Sequence, residues 1–227
     1  MSGLQIHHKK NFHLMRWMLA ILLVIIGILY VYFGVRWYNT GEVSPLPLPV
    51  AAANSGLDET PVLAKQIESH TAKSNEPRIL EIPALGLEAA RITKIGVTDR
   101  HLLDTPSNIH DAGWYTKSAT PGSGVAAVVL RANKGSATQD GVFAKLDSLK
   151  PSDQIIIERG DGKVFTYEVT DVREKPFLWV SQQGMKEMMY SADPSKEGLS
   201  IIVDSGKWIP KHKVYDHKIL VRATLDE

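Results

Sequence analysis

The sequence predicts a mostly β fold, a barrel or a sandwich of about seven short strands with two short helices, preceded by one transmembrane helix. Two observations support this prediction. The first is an uncharged apolar run of 19 residues near the amino terminus, about the length that spans a hydrocarbon core. The second is a series of short β-prone runs, separated by turn residues, from Arg78 onward. A chain of 227 residues accommodates both parts.

The apolar run occupies residues 17–35 and has unequal charge on its two sides. Three basic residues precede it, Lys9, Lys10 and Arg16, whereas only Arg36 follows closely. The positive-inside rule therefore places the amino terminus in the cytoplasm and the rest of the chain outside. A cleaved signal peptide would have a shorter apolar region and a nearby small-residue cleavage site. The nearest candidate, alanines 51–53, lies well beyond the run, so we predict an uncleaved signal anchor in the cell membrane.

The chain divides into four predicted parts. Residues 1–16 form the cytoplasmic amino terminus, residues 17–35 the transmembrane anchor, residues 36–77 an extracellular linker, and residues 78–227 the outer domain. The linker contains VSPLPLPVAAANSG, a composition that favours extended, polyproline-like backbone. One short helix is expected in it, at residues 60–69.

The outer domain shows the strand pattern. Predicted strands cover residues 79–82, 90–95, 125–131, 154–159, 164–172, 199–203 and 218–224. The fourth and fifth strands form a hairpin, because Gly160-Asp161-Gly162 separates two alternating runs. Two short helices are predicted at residues 142–149 and 182–191. The three methionines of the second helix, Met185, Met188 and Met189, are expected to fill core space.

Charge and composition exclude several functions. Residues 1–36 hold four of the 26 basic residues and no acid, which leaves 22 basic against 25 acidic residues in the remainder. A weakly acidic outer domain gives no reason to expect nucleic-acid binding. The chain has no cysteine, so disulfides, thiolate metal sites and thiol catalysis are absent. His110 and Asp111 are too few to predict a metal site, and we expect no metal and no cofactor.

Five ordered stretches of the outer domain resemble the sortases, the membrane-anchored cysteine transpeptidases of bacterial cell surfaces. They are IPALGLEAARITKIGV, TPSNIHDAGWYTKSATPGSGVAAVVLRANKG, VFAKLDSLKPSDQIII, IIVDSGKW and YDHKILVRATL. The likeness covers roughly the last two-thirds of the chain, and the short loops and Gly-Trp-Tyr stretch are most similar to class E or F. The resemblance implies a sortase-like closed β-barrel of about seven to eight strands with short helices. It also implies a bacterial cell-surface location and an extended peptide substrate.

The three catalytic residues of the family are all replaced. By the resemblance, Ser205 stands at the position of the cysteine and Asn133 at that of the histidine. Lys218 stands at the position of the arginine, or His217 does if the register slips by one residue. Serine has no thiolate form and needs an adjacent base, and asparagine cannot take and return a proton. Lysine lacks the planar, two-pronged donor geometry of arginine.

These replacements predict a pseudoenzyme that is inactive as a cysteine transpeptidase. We expect it to bind an extended peptide or a surface protein in the former active-site cleft, beside Trp114 and Trp208. The alternative is a serine-dependent peptidase or transpeptidase that uses Ser205 on the same framework. In that alternative, His217 on the neighbouring strand would replace the lost base.

Overall fold

The structure is a computed structural model that describes residues 11–42, 44–45, 57–124, 126–136 and 138–226. Three features predicted above lie wholly or partly outside these residues: the basic pair Lys9 and Lys10, most of the polyproline-like stretch, and the first residue of the strand predicted at 125–131. The chain forms two compact units. One contains the amino-terminal helix together with Ile209–Lys213, and the other contains the barrel.

The amino-terminal helix, α1, extends over Asn11–Thr40 and includes the whole predicted apolar run. Its segment His13–Thr40 is the one helix in the described part of the chain that is long and apolar enough to cross a membrane. The helix continues beyond residue 35 because polar side chains support its last turn. The amide of Asn39 donates to the carbonyl of Val35, and the hydroxyl of Thr40 donates to the carbonyl of Arg36, both at 2.9 Å.

Eight strands form a closed barrel, as the sequence predicts. In chain order they are β1 (Pro77–Ile82), β2 (Leu87–Ile95), β3 (Ala112–Tyr115), β4 (Ala127–Ala132), β5 (Gln154–Arg159), β6 (Val164–Pro176), β7 (Gly198–Ile209) and β8 (Val214–Leu225). Around the barrel they are arranged β1-β2-β3-β4-β7-β8-β6-β5, and β1 pairs with β5 to close the ring. Strand β3 is not among the predicted strands, because its four residues, AGWY, are too few to show a period.

Parallel pairing of β4 with β7 determines where the site is formed. The register runs from Ala127 opposite Gly198 to Ala132 opposite Val203. The carboxyl ends of both strands therefore meet at one edge of the sheet. Asn133 follows β4 at this edge, and the Asp204-Ser205 pair lies just beyond the last residue that β7 pairs with β4.

Side chains of the central strands alternate between two hydrophobic clusters. Leu199, Ile201 and Val203 of β7 belong to the cluster that fills the barrel. Ile202 of the same strand belongs to a second cluster, on the outer face. On β8 the inner residues are Ile219, Val221 and Ala223, and the outer one is Leu220. Both faces of these two strands are therefore buried, which explains their nearly continuous apolar sequences.

Short helices complete the fold. Helix α2 (Ala64–Glu68) lies within the stretch predicted at 60–69. A longer helical segment, residues 177–188, consists of α3 (Phe177–Trp179), a π turn (Val180–Gly184) and α4 (Met185–Met188). It begins five residues before the predicted helix 182–191, since Pro176 ends β6 and leads directly into it.

The helix predicted at 142–149 is wrong in extent. Only a 3₁₀ turn, Leu146–Ser148, is helical there. Phe143 and Leu146 are fully buried in the barrel cluster, so the segment is folded as a series of turns that place these two side chains in the barrel core.

A buried carboxylate joins the loop before β4 to the barrel. Glu197 accepts hydrogen bonds from the Tyr167 hydroxyl at 2.6 Å and from the backbone N–H groups of Gly122 and Gly124 at 2.9 and 2.8 Å. Burial, together with the Glu197 carboxylate, raises the pKa of Tyr167 above its ordinary value. The phenol therefore remains a hydrogen-bond donor at all ordinary pH values.

Glu197→Ala is expected to lower the free energy of unfolding by about 3 kcal/mol, because it leaves the buried Tyr167 hydroxyl and two loop amides without their acceptor. Urea unfolding of the full chain in detergent, followed by near-ultraviolet circular dichroism, measures the loss. Glu168→Ala is the matched control, since Glu168 is an exposed carboxylate whose hydrogen bond comes from the exposed Ser152. Equal losses in the two variants would contradict the role of Glu197.

Candidate functional site

Asn133 and Ser205 line the same cleft at the carboxyl ends of β4 and β7. The cleft has a volume of about 310 Å³, and its wall also includes Asp204, Gly206 and Tyr215. The structure thus brings together the two residues that were predicted to stand at the cysteine and histidine positions. We call this space the Ser205 cleft.

Ser205 lies on the inner face of β7, at the end of the barrel interior. It is 7% exposed, and alternation places it on the same face as Ile201 and Val203. Its hydroxyl donates to Oε1 of Glu174 at 2.5 Å. Glu174 reaches Ser205 from β6, where it pairs in register with Ile219 of the intervening strand β8. The hydroxyl at the predicted nucleophile position is therefore hydrogen-bonded to a carboxylate.

Glu174 is not among the site residues predicted from the sequence. The strand that carries it was predicted to end at residue 172, whereas β6 continues to Pro176. Alternation from Val172 would have placed Glu174 on the inner face if the strand had been extended.

Asn133 supports the loop that follows β4. Its side-chain amide donates to the carbonyl of Pro106 at 2.9 Å, and its backbone carbonyl accepts from the N–H of Phe143 at 3.4 Å. Gly141 packs so closely that a Cβ there would lie 2.4 Å from the Asn133 carbonyl oxygen. These contacts hold two loops together and move no proton.

Lys218 lies on the face of the sheet opposite to Ser205. It is 5% exposed and shares the outer face of β8 with Leu220. Its ammonium contacts the carboxylate of Asp204 and lies 5.5 Å from the centre of the Phe177 ring. The structure does not bring Lys218 to Ser205. The assignment of Lys218 to the arginine position of the family remains a prediction.

His217 lies beside the glycine that follows Ser205. A Cβ on Gly206 would be 3.1 Å from Nδ1 of His217, and this nitrogen is 3.0 Å from Oδ1 of Asp216. The hydroxyl of Ser205 donates to Glu174 rather than to this ring. The predicted role of His217 as a rebuilt base remains a prediction as well.

A buried charge cluster occupies the outer face of the same strand ends. Asp204 accepts from the guanidinium of Arg131 at 3.0 Å and contacts the ammonium of Lys218. Burial lowers the pKa of Arg131 to about 10, although the charge of Asp104 opposes the shift. Burial and the charge of Arg131 lower the pKa of Lys218 to about 6, and the Asp204 carboxylate in contact opposes that shift. Burial has the larger effect, because the ammonium is almost completely removed from water.

Arg131 and Lys218 of this charge cluster line a groove of about 380 Å³, which we call the outer groove. Its walls are mostly apolar, and they come from the loop after β2, from β7 and from the helical segment 177–188. The apolar lining residues include Val97, Leu103, Phe177, Val180, Met185, Met189 and Ile202. Of the three methionines predicted to fill core space, Met188 is fully buried, whereas Met185 and Met189 line the groove.

The helical segment is fixed over the outer groove by charges. Glu187 accepts hydrogen bonds from Arg173 of β6 and, at 3.1 Å, from Arg222 of β8. The guanidinium of Arg173 also lies 5.9 Å from the centre of the Trp179 ring, and the ammonium of Lys175 lies 5.5 Å from it. The helical segment that forms this wall of the groove therefore contacts the barrel near both of its ends.

The two tryptophans that were predicted to flank the cleft have different surroundings. Trp114 is buried in the barrel cluster and donates through Nε1 to the carbonyl of Ala119 at 3.0 Å. Trp208 packs edge to face on Tyr215, with ring centroids 5.3 Å apart, and Tyr215 lines the Ser205 cleft. Trp208 thus lies next to the cleft wall, whereas Trp114 is a core residue.

Asp111 is held by Arg91 through two hydrogen bonds of 2.8 Å. Its neighbour His110 lines a separate cavity. Within the residues that the structure describes, no group of three or more histidine, aspartate or glutamate side chains is placed to hold a metal ion.

Comparison with known proteins gives a consistent result. A family model of the sortase domain matches residues 80–225. Sortase A from Corynebacterium diphtheriae is 21% identical, with a TM-score of 0.51 over 73% of this chain and 70% of that chain. A lid mutant of sortase C1 from Streptococcus agalactiae is 17% identical, with a TM-score of 0.50 over 73% of this chain and 76% of that chain. No curated protein matches the chain. At these identities the solved structures show the fold alone.

Asp204→Asn is expected to destabilise the protein by about 3–5 kcal/mol, because it leaves the buried Arg131 guanidinium without its countercharge and removes the carboxylate that Lys218 contacts. Chemical unfolding of the full chain in detergent at neutral pH measures the loss. Asp153→Asn is the control, since the Asp153 carboxylate accepts from the exposed backbone N–H of Lys150 at 2.7 Å rather than from a buried basic side chain. A loss of less than about 1 kcal/mol, typical of a surface pair, would contradict a buried cluster.

Lys218→Met is expected to change the dependence of stability on pH. With a folded-state pKa of about 6 and an unfolded value near 10.4, the unfolded wild-type chain binds more protons between these pH values. Wild-type stability should therefore rise relative to Lys218→Met as the pH increases from 6 to 10, by at most about 1.4 kcal/mol per pH unit. Unfolding of both proteins at a series of pH values measures the difference. A constant difference would show that Lys218 stays charged.

Proposed function

The chain belongs to the sortase family, and on that basis we propose that it is a membrane-anchored, catalytically inactive member that binds an extended peptide or a surface protein. The observation that carries this proposal is the set of side chains at the carboxyl ends of β4 and β7. There the chain has no cysteine, and Asp204, paired with Arg131 and Lys218, occupies the outer face.

The proposed location is the outer surface of a bacterial membrane. Helix α1 is long and apolar enough to span the bilayer, and the basic residues before it favour a cytoplasmic amino terminus. In this arrangement residues 1–16 are cytoplasmic, residues 17–35 span the membrane, residues 36–77 link the anchor to the barrel, and residues 78–227 form the extracellular domain.

The proposed loss of activity follows from the chemistry of the groups present. Attack on a peptide carbonyl needs a nucleophile, a group that transfers a proton and a donor for the developing oxyanion. Asp204 lines the Ser205 cleft, but its oxygens already interact with Arg131 and Lys218. Asn133 cannot transfer a proton, and its amide is already bonded to Pro106.

The outer groove supports the proposed binding role. It offers apolar walls, a fixed helical wall and a polar end, which is the usual composition of a ligand site. Exposed Val97 lies on the groove rim, where it would extend the apolar contact with a bound chain.

A serine-dependent peptidase is the second candidate, and one contact favours it. The Ser205 hydroxyl donates to the Glu174 carboxylate at 2.5 Å, and a carboxylate in this position can accept the proton of a serine nucleophile. In this candidate the reaction would take place in the Ser205 cleft, and Glu174 rather than His217 would be the base.

Incubation of the full chain in detergent with sorting-signal peptides and a glycine nucleophile separates the two candidates. The binding proposal predicts no cleavage by mass spectrometry, from the wild type or from Ser205→Ala. Cleavage that both Ser205→Ala and Glu174→Gln abolish would establish the serine enzyme and overturn the proposal.

Peptide retention tests the groove directly. Met185→Glu is expected to weaken retention of a peptide from the same pool by about tenfold or more, because it places a charge in an apolar wall. Leu178→Glu is the matched control, since Leu178 is on the same helical segment but is 67% exposed. Equal retention by the two variants would exclude the outer groove as the binding site.

A further inference from the structure

The connection between β7 and β8 is strongly basic. Residues 207–213, with the sequence KWIPKHK, are called the basic tip here. Lys207, Lys211, His212 and Lys213 are exposed, and the seven residues contain no acid. The first acid after the tip, Asp216, accepts from the backbone N–H of Lys207 at 2.7 Å, so its carboxylate is directed towards the strands.

Aromatic and apolar side chains accompany these charges. Trp208 lies in the tip and packs edge to face on Tyr215, which follows it. Ile209 and Pro210 come next to Trp208 and are partly exposed. Indole and phenol rings combine an apolar body with a polar end, and they favour the headgroup level of a membrane.

The tip is associated with the membrane helix. Ile209–Lys213 forms one compact unit with α1, and within it the backbone N–H of Lys211 donates to the carbonyl of Tyr38 at 3.1 Å. Tyr38 belongs to the last turns of the helix, which ends at Thr40. In the proposed topology this end of the helix is at the outer surface of the membrane.

We propose that the basic tip docks on the outer surface of the cell membrane. Its lysines would contact anionic phospholipid headgroups, and Trp208 and Ile209 would lie at the membrane–water interface. The inference rests on the proposed membrane anchoring. Each lysine near an anionic surface adds to the attraction, and the three together favour the docked state by about a hundredfold.

Because the chain has no cysteine, one introduced cysteine provides a single site for a thiol-reactive label. His212→Cys places a spin label in the tip, and Lys163→Cys places a matched label in the exposed turn between β5 and β6. The full chain is reconstituted into vesicles of phosphatidylglycerol and phosphatidylcholine in equal parts, or of phosphatidylcholine alone. Accessibility of each label to a water-soluble nickel relaxation agent is then measured.

Docking predicts that the label at position 212 is protected in the anionic vesicles and accessible in phosphatidylcholine or at high salt, while the label at 163 is accessible throughout. Replacing Lys207, Lys211 and Lys213 by glutamine should lower the ratio of protected to accessible label by about a hundredfold. Equal accessibility at 212 and 163 would overturn the proposal. Equal protection in both lipids, unchanged by the glutamines, would also overturn it, because proximity to α1 alone would then explain the result.

Two further measurements keep this inference separate from the proposed function. Peptide retention in detergent does not involve an anionic surface, so it tests binding independently of docking. Labelling of the cysteine at 163 by a membrane-impermeant reagent added outside right-side-out vesicles tests the topology. Failure of the topology would remove the premise, whereas failure of retention would leave docking unaffected.

Discussion

The parallel pairing of β4 with β7 is the constraint on which the candidate site depends. It brings Asn133 and the Asp204-Ser205 pair to one edge of the barrel. Because neighbouring strand residues point to opposite faces, Asp204 and Ser205 have different partners, although both line the Ser205 cleft. The Ser205 hydroxyl donates to Glu174, whereas the Asp204 carboxylate contacts Lys218. The strand end therefore has two chemically different sides.

A charge cluster now occupies the outer side. Two buried basic side chains and one carboxylate contact one another there, and such an arrangement is sensitive to the loss of any member. Arg131 and Lys218 also give the outer groove a polar part beside its apolar walls. In the proposed function, this combination of apolar and polar walls is what holds a peptide.

The sequence predicted the barrel well because its evidence is periodic and local. Seven of the eight strands and the β5–β6 hairpin show alternation or turn residues that can be recognised without a structure. Strand β3 was missed because four residues show no period, and the helix at 142–149 was wrong because burial of Phe143 and Leu146 replaced it with turns. The site was harder to predict. Glu174 lies far from Ser205 in the sequence, and only the strand order β7-β8-β6 brings them together. The separation of Lys218 from Ser205 could have been found, since alternation along β7 and β8 assigns them to different faces.

The β7–β8 hairpin carries two groups of charges with different partners. Asp204 comes shortly before the basic tip and Lys218 shortly after it, so the tip and the charge cluster share two strands. The charges of the cluster are buried and contact one another, whereas the three lysines of the tip are exposed. The cluster therefore contributes to the stability of the strand ends, and the tip is the part of the hairpin that an anionic surface can attract.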